Sequence, residues 1–134
     1  MSKKSKLNIE LLKRLQTRFL RMKHPEHFNM REVAMKTERG TAMCIAGHVL
    51  DLCGYRIRWQ DGGDHALDAV WYKPSGRRVG DLFAAMDEAQ RVLGMSYEQA
   101  RSSYGLFMRL GLKTPQQAVA AIQQIINAAE GASQ

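Results

Sequence analysis

The sequence predicts a mainly α fold: a compact bundle of five to six helices carrying one small two-stranded β-hairpin. Three observations predict it. Helix-capping residues recur along the chain at Asn8, Thr41, Asp81, Ser96 and Thr114, each with a side chain able to accept from an orphan backbone amide. The run from Ala42 to Leu52 is almost wholly apolar, as a helix through the centre of a bundle would be. Only the stretch from Tyr55 to Tyr72 carries the period of two that a half-buried strand requires. With 134 residues, 45% apolar and 25% charged, the chain suffices for one core and one domain, placed at residues 7–130. The lysine-rich residues 1–6 are expected to form a disordered basic tail.

In the first helix Leu11, Leu12, Leu15 and Phe19 follow the three-to-four spacing of one face, while Lys13, Arg14, Arg18 and Arg21 fall largely elsewhere. Pro25 ends it near Lys23, because the residue before a proline is pushed out of helical geometry. His24 to Phe28 then make a connector, and residues 29–36 are expected to form a short helical turn with Met30, Val33 and Ala34 inward. Gly40 and Thr41 read as a break and an N-cap for a helix over residues 42–53, the buried axis of the bundle. Its small residues Ala42, Ala46 and Gly47 admit a close backbone neighbour, and Gly54 is placed to end it in left-handed geometry.

Tyr55, Ile57 and Trp59 alternate with Arg56 and Arg58, Asp61-Gly62-Gly63 supply a turn, and residues 67–72 return as the second strand. Pro74, Ser75 and Gly76 make a further turn before Arg77, Arg78 and Val79. Asp81 caps a helix with Leu82, Met86, Ala89 and Leu93 on one face, ended by Gly94. Ser96 with Gln99 is a capping box, and Thr114, Pro115 and Gln117 supply N-cap, N1 proline and N3 glutamine to the last helix. Ala118, Ile122, Ile125 and Ala129 line its buried face, and residues 130–134 are expected to fray.

Lys plus Arg total 20 against 13 Asp plus Glu, and the surplus is uneven: residues 1–58 carry a net +8 and residues 59–134 a net −1. A positive field of that kind draws phosphate backbones or other anionic partners, with an affinity that falls as salt screens it. No apolar run approaches the roughly 18 residues needed to cross a bilayer, so no membrane partner is expected. Cys44 and Cys53 are too few for a secreted disulfide scaffold. On one helix their Cα atoms would stand about 13 Å apart, beyond the roughly 7 Å limit for a bridge. Free thiols and a cytoplasmic location follow as expectations.

Cys44, His48 and Asp51 share one helical stripe at i, i+4 and i+7. A thiol in the first turn, an imidazole to take its proton and a carboxylate to orient the imidazole are the parts of a nucleophilic site. Against it, catalytic groups usually converge from separate elements, and a buried cysteine with a hydrogen-bonded core histidine has the same spacing. The Cys44 and His48 pair with His24 and His27 also has the ligand types for zinc. Neither CxxC nor HExxH fixes their convergence, and no metal or cofactor is expected.

Arg56, Arg58, Lys73, Arg77 and Arg78 flank Tyr55, Trp59, Trp71 and Tyr72. Either the aromatics pack inward while the arginines solvate the sheet or pair with Asp61, Asp64 and Asp68, the arrangement we favour, or the two types together stack on bases and bind phosphates. Residues 109–115 have some of the look of a helix-turn-helix. From Thr114 onward, however, there is no Lys or Arg, so Gln116, Gln117, Gln123 and Gln124 could meet bases with little to hold phosphates. No GxGxxG or Walker pattern is present.

The segment Gly40-Thr41-Ala42-Met43-Cys44-Ile45-Ala46-Gly47-His48, with His24-Pro25-Glu26 before it and Ala89 to Ala100 after it, resembles a set of small bacterial and phage-encoded proteins that share a GTxxCxAGH-like helix start. Where those sequences often read Cys-Gly-Thr, this chain has Arg39-Gly40-Thr41, so a two-cysteine site would be incomplete here. The resemblance implies a mostly helical fold and supplies no catalytic residue. The expected function is therefore a non-catalytic small basic binding protein, a bacterial or phage accessory factor. It would engage nucleic acid or an acidic protein surface through Arg14, Arg18, Arg21, Arg56, Arg58, Arg77 and Arg78. The alternatives are a thiol-dependent enzyme using Cys44 and His48, and an inhibitory or structural module acting through protein contacts alone.

Overall fold

In the computed structural model, which describes residues 7–38 and 40–132, Asn8 opens the first helix: its Oδ1 accepts from the Leu11 amide at 3.0 Å. Helix α1 (Ile9–Leu20) buries Leu11, Leu12, Leu15, Gln16 and Phe19. A 3-10 turn at Pro25–His27 follows, as the proline requires. The expected tail at residues 1–6 and the position of Arg39 lie outside the described residues.

The expectation of a mainly α bundle with one hairpin is overturned, because among the described residues five α-helices share the fold with two antiparallel sheets of two and three strands. Residues 29–36 are not helical. Asn29 Oδ1 instead accepts from the Arg31 amide at 2.9 Å in a local turn, although Met30, Val33 and Ala34 are buried. Strands β1 (Met35–Thr37) and β2 (Gly40–Ala42) then pair. Thr41 is thus a strand residue rather than an N-cap, and helix α2 (Ile45–Leu52) starts at Cys44. The cause is non-local. The Met43 amide donates to His27 O at 2.8 Å, the Asn29 amide to Met43 O at 2.9 Å and the Cys44 amide to Glu32 O at 2.8 Å, so residues 27–32 hold the 42–44 backbone extended against its helical propensity.

Helix α2 is buried from Ile45 to Leu50 and touches α1 and α3 (Leu82–Leu93). Gly47 is where it lies closest to its surroundings: a Cβ there would sit 2.1 Å from Val33 O and 2.8 Å from Met43 Cβ. Strands β3 (Arg56–Trp59), β4 (Ala69–Tyr72) and β5 (Arg78–Gly80) form the second sheet in that order. The third strand, read as the chain after a turn, completes it.

Asp81 caps α3 by accepting from Phe83 and Ala84 amides, and Gly94 ends it at φ 66°. The Ser96 and Gln99 capping box opens α4 (Tyr97–Arg101). Thr114 Oγ1 accepts from the Gln117 amide at 3.1 Å at the start of α5 (Pro115–Ala132), which packs on α1 and remains helical beyond Glu130. Its most buried face is Ala118, Ala121, Ile122 and Ile126, with Ile125 and Ala129 at its margin. Tyr55, just before β3, ties the chain to α3: its hydroxyl donates to Glu88 Oε2 at 2.5 Å, while within α3 Arg91 Nε donates to Glu88 Oε1 at 2.7 Å. Arg91's hydrogen bonds and the Tyr55 hydroxyl hold the Glu88 carboxyl down at about 2. Burial and the Glu88 charge push the Tyr55 phenol up to about 12.

Candidate functional site

Alternation along β3 and β4 sends Trp71 and Ala69 into the core, with Ile57 and Trp59 half-buried beside them. The same alternation sends Arg56, Arg58, Val70 and Tyr72 to the other face. Arg56 pairs with Tyr72 and Arg58 with Val70 across the ladder. On the other side of β4 the register slips: Trp71 pairs with Gly80, yet Tyr72 pairs with Arg78. Val79 is the extra residue of that bulge. An unbroken ladder would set Val79 opposite Tyr72 and turn Arg78 to the core face, so the bulge aims Arg78 outward. One cross-strand row therefore reads Arg56, Tyr72, Arg78.

Arg58 Cζ lies 5.7 Å from the centroid of the Tyr72 ring. The same face bounds a groove of about 360 Å³ lined by Arg58, Gln60, Val70, Tyr72, Lys73, Pro74, Gly76 and Arg78. No carboxylate lines it. Among the described residues, none of Arg56, Arg58, Lys73 and Arg78 has an ion-pair partner. Lys73 holds its ammonium 5.0 Å from the centroid of the Tyr55 ring. Burial raises the Cys53 thiol, while the charges of Arg14 and Lys73 both pull it back. Tyr72, read as part of the returning strand, and Lys73, read beside the hairpin, were weighed with the arginines, but their place beside Arg78 depends on β5, which three residues of sequence do not announce.

The other basic residues divide. Arg14 and Arg21 are exposed. Arg18 is engaged internally, with Nη2 2.7 Å from Asp51 Oδ2 and Nη1 donating to His48 O at 3.1 Å. Arg77 is close enough to Glu88 to add to the fall in that carboxyl's pKa.

Cys44, His48 and Asp51 are not brought together. Because Cys44 precedes the helix instead of riding in its first turn, its side chain leaves the stripe that the spacing implied. It lines a cleft of about 670 Å³ with Glu32, His65 and Leu82, while His48 lines a separate one of about 430 Å³ with Arg18, His27 and Asp51. The Cys44 thiol is buried, and that burial pushes it up to about 11 against the opposing pull of the Gly47 and Ala46 amides. A protonated, buried thiol is not a nucleophile at neutral pH.

His48 Nε2 is 2.9 Å from His27 O; a carbonyl only accepts, so Nε2 carries the proton. Nδ1 has no hydrogen-bond partner among the described residues, and the ring packs edge-on to Phe19 at 5.1 Å. Burial lowers the His48 pKa to about 4, so the ring is neutral near pH 7. Asp51 answers Arg18 rather than the imidazole.

The His24 and His27 rings lie tilted at 46° with centroids 5.2 Å apart, and His27 reaches His48 through its backbone carbonyl. Among the described residues no three His, Cys, Asp or Glu side chains gather as a metal site. In the region read as a helix-turn-helix, Gln117 Oε1 caps the Lys113 and Thr114 amides and Gln123 Oε1 accepts from Gln16, so two of its four glutamines serve the fold. No helix among the described residues is long and apolar enough to cross a membrane. The chain matches no family model, no curated protein and no solved structure.

Proposed function

We propose that the protein is a non-catalytic nucleic-acid-binding protein, an accessory factor of the bacterial or phage kind, that holds phosphates on the outer face of the β3–β4–β5 sheet. The observation that carries this reading is the row Arg56, Tyr72, Arg78 beside Arg58 and Lys73, all without a carboxylate partner. Guanidiniums left unneutralised on a concave face attract phosphate oxygens, which they match with two parallel N–H donors. Arg14 and Arg21 extend the field along α1, whereas Arg18 contributes less because it already pairs with Asp51.

The test is binding of short single-stranded and duplex oligonucleotides as a function of salt. On single strands, log K should fall with log salt, and each of Arg56→Gln and Arg78→Gln should reduce the slope by about 0.7. Arg18→Gln should leave the slope unchanged. Absence of binding at low ionic strength would remove nucleic acid, and equal competition by polyglutamate would reassign the face to acidic proteins. The thiol-enzyme alternative has its own check in alkylation against pH: Cys53 should react while Cys44 stays inert beyond the ordinary thiol range.

A further inference from the structure

Resting on the phosphate-binding reading, we infer that the bound strand is single and that one unstacked base lies in the groove against the Tyr72 ring. The groove, about 360 Å³, is within the range of roughly 300–1,000 Å³ for small-molecule sites, and it has the parts a base needs. Tyr72 offers an aromatic face, the Arg58 guanidinium adjoins that ring, and Val70 supplies an apolar neighbour. Bases stack on both aromatic rings and guanidinium planes. Gln60, at the rim, carries both a donor and an acceptor for a base edge.

In a duplex the base faces are covered by their neighbours, so a ring at the side of a groove reaches none of them. Two elements that could instead enter a duplex groove, the hairpin tip and α5, have the wrong charge. The tip of the β3–β4 hairpin exposes Asp61 and Asp64, and α5 contains no Lys or Arg. Phosphates lining either groove would repel the first and gain nothing from the second. The cations surround Tyr72 instead, so backbone phosphates pair on either side of the stacked base.

Anisotropy with the full chain at one low ionic strength tests this, using a labelled oligothymidine, an abasic strand carrying the same phosphates and a hairpin duplex. Oligothymidine should bind at least about tenfold more tightly than the abasic strand, and Tyr72→Ala should lose about 5- to 150-fold on it. Tyr72→Phe should retain the affinity, which separates a lost ring from a damaged fold, and Tyr72→Ala should leave abasic binding unchanged. If the abasic strand or the duplex binds as tightly as oligothymidine, the stacked base is overturned while phosphate binding stands. If none of the three binds, the phosphate reading falls with it.

Discussion

Around helix α2 the polar groups, His48 Nδ1 apart, are answered by the protein itself, whereas on the outer face of the three-stranded sheet they are not. Asp51 is taken by Arg18, His48 Nε2 by the His27 carbonyl, and the Cys44 thiol is sealed from solvent. Arg56, Arg58 and Arg78 stand exposed around Tyr72 with no ion-pair partner among the described residues. Buried groups with partners hold a fold together, whereas exposed guanidiniums without them are left to solvent or to an anionic ligand. The two regions should therefore fail in different ways when altered.

The largest effect is expected at Gly47. A methyl group there collides with the Val33 carbonyl, a backbone atom that cannot turn aside, so Gly47→Ala should cost about 3 kcal/mol of stability, the upper end of overpacking. A urea midpoint that does not move would show that α2 does not need this close approach.

Next is the pH dependence at His48. Its folded pKa, about 4, is below the ordinary 6.5, so the unfolded chain takes up a proton first as the pH falls. The contribution is complete above pH 6.5 and is lost on acidification toward about 4, a total of about 3 kcal/mol. Glu88, also depressed, contributes its loss only below its ordinary 4.5. Urea unfolding between pH 6.5 and 4.5, above the Glu88 window, should show a falling stability that His48→Gln flattens, and a wild-type stability constant over that range would contradict the buried neutral ring.

The smallest effect on stability belongs to the sheet face. Arg56→Gln and Arg78→Gln should each stay within about 0.5 kcal/mol of the wild type, while the salt slope of binding changes as stated above. A larger loss of stability would place those arginines in the scaffold and erase the contrast with α2.

Helices were legible where the information is local. Asn8, Asp81, Ser96 and Thr114 act within three residues of themselves, and each caps the helix assigned to it. Thr41 failed because its neighbours are bonded elsewhere: the 42–44 backbone answers residues 27–32, and no nearby spacing reports that. Strands β1, β2 and β5 are three residues each, too short for a period of two to stand out. Of the candidate residues, Arg56 and Arg58 were legible from the alternation of β3. The orientation of Arg78 was not, since a bulge shows only once the partner strand is in place.

By itself the sequence determined the chain's uneven charge, most of its helix ends and the burial of the segment after Thr41, because each depends on residue type or on neighbours within a few positions. Only the tertiary structure decided that Cys44 and His48 face different clefts and that Arg56, Tyr72 and Arg78 share one row. The direction of a side chain follows from the hydrogen bonds of its backbone, and here those bonds join segments distant in the chain.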